Sequence, residues 1–217
     1  GDLIQGFNLA YWEFLATGNP EPVEQALASW TPAQASSSDG ITIRFRWAMV
    51  KGDGAGALRL RPPNHKREDA GWTRRYTGFT LMSVDPSAAQ PYLRRSRELF
   101  KASVAKQPER SMAWAWLAEV EAMLGERAAA LHAAEQAVKF LPDTLDYKDG
   151  PTYSWHRATV FAWLGETDRA IDEYARLLKT QVSIGVHEMR NDPIYKPLRG
   201  HPRWEALLND PKNNAPL

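Results

Sequence analysis

The sequence predicts an all-α fold in which about five helical hairpins stack into a solenoid. The clearest hairpin lies over residues 114–142, where Gly125 separates two helical stretches and Pro142 ends the second. Small residues recur where the two helices would touch: Ala118, Ala130, Ala134 and Ala137. One hairpin cannot bury its apolar face alone, so this pattern predicts neighbouring hairpins on either side.

The spacing of turn glycines is the second observation. Gly18 and Gly52 are 34 residues apart, and Gly125 and Gly165 are 40 apart, which is one repeat plus an insertion of about six residues. Residues 41–50 alternate like a strand in their first half. Because the glycine spacing places this stretch on the first helix of a hairpin, we predict a helix there.

The first predicted hairpin lies at the start of the chain. Phe7, Ala10 and Phe14 share one face of a helix over residues 3–17, and a Gly-Asn-Pro sequence then breaks that helix. Residues 22–30 form the return helix. The second hairpin follows, with its return helix over residues 55–60.

A third hairpin is predicted over residues 76–84 and 88–106, and an exposed loop over residues 61–73 precedes it. An acidic insertion over residues 143–150 follows the fourth hairpin and leads into the fifth, which ends at residue 179. The remaining residues, 180–217, carry their own apolar side chains and are predicted to cap the last hairpin.

Composition limits the classes of function. The 217 residues include no cysteine, which excludes disulfides, thiolate metal sites and cysteine nucleophiles. Hydrophobic residues make up 43% of the chain, a value typical of globular proteins, and no apolar run is long enough to span a membrane. No secretory leader stands at the start, so a cytoplasmic location is expected, with the periplasm as the alternative. The glycine at position 1 indicates a piece of a longer protein.

Charge is distributed unevenly along the chain, although its net value is only +1. Residues 1–43 contain five acidic residues and neither lysine nor arginine, residues 44–110 have a net charge of +9, and residues 111–217 have a net charge of −3. A basic middle could bind an acidic partner or could simply be a set of solvated helix faces.

Two motifs give the chain a family resemblance. The residues of the fourth hairpin follow the spacing of a tetratricopeptide (TPR) repeat, and the fifth repeats it with L-G-E-T-D-R-A-I. The tail then reads R-x-D-P-x-Y-x-P-L-R-x-x-P-R-W-x-x-L-L, beginning at Arg190. Over residues 111–210 the chain resembles the C-terminal TPR regions of bacterial multidomain signalling proteins. Such regions follow adenylate cyclase, serine/threonine kinase or winged-helix domains.

The resemblance implies a right-handed TPR-like α-solenoid with a C-terminal capping segment. Its parts would be divergent hairpins over residues 1–110, two well-formed repeats over residues 111–179, and a cap over residues 180–217. It also implies a non-catalytic protein-interaction or regulatory region that docks a peptide, helix or partner domain. Two alternatives stay open: self-association through the exposed end of the first repeat, and an enzyme with a site near the loop at residues 61–73.

The resemblance further implies a concave groove lined by the first helix of each repeat. Trp155 and Trp163, eight residues apart, would share that face. The candidate groove residues are Met112, Glu119, Met123, Trp155, Thr159 and Trp163. Either this face is open to a partner or the C-terminal tail covers it. An open groove predicts that Trp155→Ala weakens partner binding without unfolding the chain.

A second candidate surface consists of basic residues: Arg44, Arg46, Arg74, Arg75, Arg94 and Arg95. Nucleic-acid binding is disfavoured, because Arg94, Arg95 and Arg97 would spread around their helix instead of forming one stripe.

No residue pattern predicts catalysis, a cofactor or a metal. The five histidines form no H-x-x-x-H pair, and the acidic insertion lacks the alternating spacing of a calcium loop. The glycine-rich stretch over residues 52–56 lacks the Lys-Ser/Thr ending of a phosphate-binding loop.

Overall fold

Every regular element in the described chain is a helix, which confirms the all-α prediction. The computed structural model describes residues 3–60, 70–146, 149–180 and 185–213. The ambiguous stretch at residues 41–50 is helical. Its apolar residues point in two directions, since Phe45 packs into the main core and Trp47 into a smaller one. A helix buried on two faces loses the period of 3.6 residues, and this explains the strand-like alternation.

The α-helices are, in chain order, α1 (Leu3–Thr17), α2 (Glu21–Ala28), α3 (Pro32–Ser36), α4 (Ser38–Val50), α5 (Gly54–Arg59), α6 (Ala70–Val84), α7 (Pro86–Lys106), α8 (Ser111–Met123), α9 (Arg127–Phe140), α10 (Gly150–Trp163), α11 (Thr167–Leu177), α12 (Val186–Asn191) and α13 (Pro202–Asn209). Two 3₁₀ helices, Pro193–Leu198 and Pro211–Asn213, flank α13.

Consecutive helices pair along the chain. Helix α1 contacts α2, α4 contacts α5, α6 contacts α7, α8 contacts α9, and α10 contacts α11. From α4 onward each pair also touches the next, through α5 with α6, α7 with α8, and α8 with α10. The described chain is therefore a series of helix pairs in sequence order.

The four turn glycines all adopt a left-handed backbone conformation. Gly18, Gly52, Gly125 and Gly165 have φ angles of 73°, 76°, 81° and 79°, in the left-handed region that glycine adopts without strain. Each ends the first helix of a pair, so the glycine spacing located these pairs correctly.

Small residues let α8 and α9 approach closely. Ala118, Ala130, Ala134 and Ala137 are almost completely buried, as the sequence predicts. Trp114 lies at the edge of this contact, where its indole Nε1 donates to the Pro108 carbonyl over 2.6 Å.

Residues 185–213, here called the C-terminal segment, return across the earlier helices. Helix α12 contacts α1 and α4, the following 3₁₀ helix contacts α6, α10 and α11, and α13 contacts α11. Arg203 ties α13 to α11 through hydrogen bonds of 2.6 Å to Asp168 and 2.5 Å to Asp172. The C-terminal segment thus reaches from the last helix pair to the first.

Candidate functional site

The candidate groove is covered in this structure. Glu119, Met123, Trp155 and Thr159 are buried, and Met112 and Trp163 are half-buried. The indole Nε1 of Trp163 donates to the Ile194 carbonyl over 2.8 Å. Of the two alternatives for this face, the structure shows the one in which the tail covers it.

An aromatic cluster explains the close fit of the C-terminal segment. The ring of Trp155 lies 4.6 Å from that of Tyr174 and 6.0 Å from that of Tyr195, both edge-on, and Tyr195 stacks on Trp204 at 5.8 Å. Such arrangements are favoured by the ring quadrupoles. Trp155 is only 4% exposed. The expectation that Trp155→Ala affects binding alone is therefore wrong, because this ring belongs to the core.

Glu119, predicted to line the groove, is instead at the centre of a buried ion-pair network. Its carboxylate accepts a hydrogen bond from Arg75 Nε, and its other oxygen lies 2.7 Å from His156 Nδ1. Burial alone would raise the pKa of Glu119, but the charges of Arg75 and His156 hold that pKa below its usual value. The carboxylate is thereby kept ionised in the interior, in a structural role.

A second network joins the C-terminal segment to α1 and α4. Arg46 pairs with Glu188, and its Nη1 lies 3.7 Å from Asp192 Oδ2. The hydroxyl of Tyr11 donates to Glu188 Oε2 over 2.7 Å. Burial raises the pKa of Asp192 to about 6, although the charge of Arg46 opposes that rise. These contacts hold α12, near the start of the C-terminal segment, against α1 and α4.

The predicted basic residues do not form one surface. Arg46 and Arg75 belong to the two ion-pair networks described above. Their guanidinium carbons also lie over the ring of Tyr76, 5.1 and 4.4 Å from its centroid. Arg44 is half-buried and donates to the Ala35 carbonyl over 3.4 Å. The remaining basic residues are placed as follows: Arg94 and Arg95 are exposed on α7, with Arg95 bound to Glu98, while the side chain of Arg74 lies outside the described residues.

An exposed apolar face on α1 is the surface that sequence reasoning did not single out. Five large hydrophobic side chains are exposed in the described chain, and three of them belong to α1: Ile4, Leu9 and Trp12. Leu9 is 73% exposed and Trp12 is 53% exposed. A helical projection could have found Leu9 and Trp12, since these two residues lie roughly opposite the buried Phe7 and Phe14.

This face is also almost uncharged. Glu13 is the single charged residue among the 15 residues of α1. The solvent-exposed face of a helix normally carries polar and charged side chains, so this surface is unusual. The chain matches no protein-family model, no curated protein and no solved structure.

The acidic insertion contributes structural contacts through Asp143. In the described ranges no three His, Asp or Glu side chains come together in a way that could hold a metal ion. Asp143, in the acidic insertion, accepts a hydrogen bond of 2.7 Å from Ser154 and pairs with Arg176 at 2.8 Å. The loop proposed as an enzyme site, residues 61–73, has no described side chains, so that alternative lies outside the described residues.

Arg157 on α10 is half-buried and paired. Its Nη2 donates to Glu173 over 2.9 Å, and its Nη1 lies 3.8 Å from Glu135. The cost of half-burying this charge is therefore offset within the fold. Within the described part of the chain, no helix combines the length and apolarity needed to cross a membrane.

Proposed function

We propose that this chain is a non-catalytic protein-interaction region of a bacterial signalling protein. In this proposal the helix pairs form a right-handed TPR-like solenoid, and the C-terminal segment is its cap. The partner docks on the outward face of α1, because the C-terminal segment already occupies the predicted groove. The observation that carries the proposal is the apolar, nearly uncharged face around Leu9 and Trp12.

Physical chemistry favours a protein partner for this face. Isolated apolar side chains on a surface are normal, but their concentration on one helix marks an interaction site. Tryptophan is also enriched among the residues that carry most of the binding energy at protein interfaces. Nucleic acid is disfavoured as a partner of this surface, since residues 1–43 contain no lysine or arginine to bind phosphates.

Site-specific photo-crosslinking tests this proposal in cells that produce the chain. Benzoylphenylalanine replaces Leu9, which leaves Trp12 in place, and the matched control carries the same group at Leu145, which is 71% exposed. We expect irradiation to yield a discrete covalent adduct from position 9 and none from position 145. Mass spectrometry of the adduct then identifies the partner.

Adding Trp12→Glu to the position-9 probe is expected to abolish the adduct, because a charge would be buried at the centre of the interface. Equal labelling from positions 9 and 145, or an adduct that survives Trp12→Glu, would contradict a specific docking face on α1.

A further inference from the structure

The contact of α12 with α1 and α4 encloses two carboxylates beside one cation. Glu188 lies on α12 and Asp192 directly follows that helix, and their side chains are 2% and 0% exposed. Arg46 of α4 pairs with Glu188, while its Nη1 lies 3.7 Å from Asp192 Oδ2. One guanidinium thus faces two buried carboxylates, which leaves an excess negative charge at this contact when both are ionised.

Asp192 is the less well compensated of the two carboxylates. Its Oδ1 accepts a hydrogen bond of 2.9 Å from the Ile194 amide, which caps the following 3₁₀ helix. Its Oδ2 and Arg46 Nη1 are both buried, and neither atom has a hydrogen-bond partner among the described residues. Glu188, by contrast, accepts a hydrogen bond on each oxygen, from Arg46 and from Tyr11. A proton taken up at this contact is therefore best placed on Asp192 Oδ2.

The other ionisable groups around Asp192 do not cancel this charge in the described structure. Arg199 is exposed, and its guanidinium donates to two main-chain carbonyls. Burial raises the pKa values of Tyr11, Tyr174 and Tyr195 above their usual range, so these hydroxyls stay neutral between pH 5 and pH 8. By element, the groups that face Asp192 are Tyr11 (α1), Arg46 (α4) with Tyr76 (α6) against it, Tyr174 (α11), Glu188 (α12), Tyr195 (3₁₀ helix) and Arg199 (after that helix).

We propose that Asp192 makes the docking of α12 on α1 and α4 depend on pH, so that α12 is held more tightly in mild acid and more loosely above neutrality. Protonation of Oδ2 removes the excess negative charge from the contact. The ordinary pKa of an aspartate is 3.8, and burial raises the pKa of Asp192 to about 6. Docking therefore takes up a proton between these values. Its contribution to docking is complete below the ordinary value and is lost as the pH rises through about 6.

Hydrogen–deuterium exchange of the full chain at pH 5 and pH 8 tests this switch. After correction for the intrinsic pH dependence of exchange, the protection factors of the α12 amides report how often α12 opens. Asp192→Asn keeps a side-chain oxygen for the Ile194 amide and is uncharged at both pH values. Relative to this variant, the wild type is expected to lose about tenfold in α12 protection between pH 5 and pH 8, since pH 5 lies about one unit below the pKa of Asp192.

A comparison of matched variants separates Asp192 from other titrating groups. Burial and the charge of Arg190 lower the pKa of His187, on α12, so the protonation of His187 in acid opposes docking. That contribution cancels because His187 is present in both the wild type and Asp192→Asn. Asp168→Asn removes an exposed carboxylate that pairs with Arg203 of the C-terminal segment, and it is expected to keep the pH dependence of the wild type.

The amides of α9, which belongs to a different helix pair, report on the fold as a whole and are expected to show no such loss in any of the three proteins. The proposal is overturned if α12 protection changes equally in the wild type and in Asp192→Asn, if Asp168→Asn also removes the pH dependence, or if α9 shows the same loss as α12. An unfolded Asp192→Asn protein would contradict it too, because asparagine reproduces the neutral state that docking favours.

Discussion

Replacing Trp155 with alanine is expected to lower the free energy of unfolding by about 3–5 kcal/mol, the range for removing a large aromatic side chain from a core. The indole is 4% exposed and contacts the rings of Tyr174 and Tyr195. Its loss would leave a cavity between α10 and the C-terminal segment. The cavity cannot close fully, because the surrounding rings also pack against Trp204.

Trp12→Ala is the matched control, since the same atoms are removed from an exposed position on α1. Urea denaturation of dilute protein should show a change within about 0.5 kcal/mol for this control. If Trp155→Ala unfolds at the same urea concentration as the wild type, the ring is not part of the core, and the open-groove interpretation would be restored.

Replacing Arg75 with leucine is expected to destabilise the fold by about 3–5 kcal/mol, because a buried carboxylate loses its cationic partner. Glu119 would keep its contact of 2.7 Å with His156 Nδ1 but lose the guanidinium that neutralises it. Urea denaturation of the variant and of the wild type measures the difference.

Arg95→Leu serves as the control for this second prediction. It breaks an exposed pair with Glu98 on α7, and such pairs contribute about 0.5 kcal/mol or less. The double replacement of Arg75 and Glu119 by leucine is expected to recover much of the loss, because no unpaired charge remains in the core. Equal effects of the two single arginine replacements would contradict the buried network.

Local physics accounts for what the sequence predicted well. The turn glycines need a left-handed backbone that few other residues adopt, so their spacing alone located four helix pairs. The alanines of α8 and α9 are small because the two helices of one hairpin approach each other closely. The turn glycines and these alanines therefore lie within one hairpin of the contacts that they determine.

The sequence predicted the ion-pair networks and the position of the C-terminal segment poorly, because these features depend on contacts between residues far apart in the chain. Arg46 and Glu188 are 142 residues apart in sequence, and Arg75 and Glu119 are 44 apart. Nothing near Arg46 or Arg75 in the sequence distinguishes them from a solvated arginine, so sequence reasoning places both on a basic surface. Whether a partner or the chain's own tail would occupy the Trp155 face was equally undetermined, since that contact joins distant elements.

The C-terminal segment covers the Trp155 face, so the candidate groove residues there have structural roles. A groove residue such as Thr159 is bound within the chain, where its hydroxyl lies 2.8 Å from that of Tyr174. Mutations there are expected to act through stability. Mutations of Leu9 or Trp12 are expected to act through partner binding, and the two classes can be separated by comparing denaturation with photo-crosslinking.

An engineered disulfide tests the position of the C-terminal segment most directly, because the natural chain has no cysteine. A Cβ added at Gly52 would lie 3.3 Å from the Cβ of Asn191, close to the roughly 3.5–4.5 Å separation found in disulfides. The pair Gly52→Cys and Asn191→Cys joins the turn after α4 to α12. Gly125→Cys with Asn191→Cys is the control, since Gly125 has a similar positive φ and a Cβ there meets nothing within 4 Å.

Under mild oxidation, the Gly52/Asn191 variant is expected to form an intramolecular disulfide in nearly all molecules. The readouts are faster migration on a non-reducing gel and an intact mass lower by two hydrogen atoms, which the added oxidant removes as two protons and two electrons. The Gly125/Asn191 control is expected to keep two free thiols. Free thiols in both variants, or equal crosslinking in both, would contradict this account, because they would show that α12 does not lie against the turn after α4.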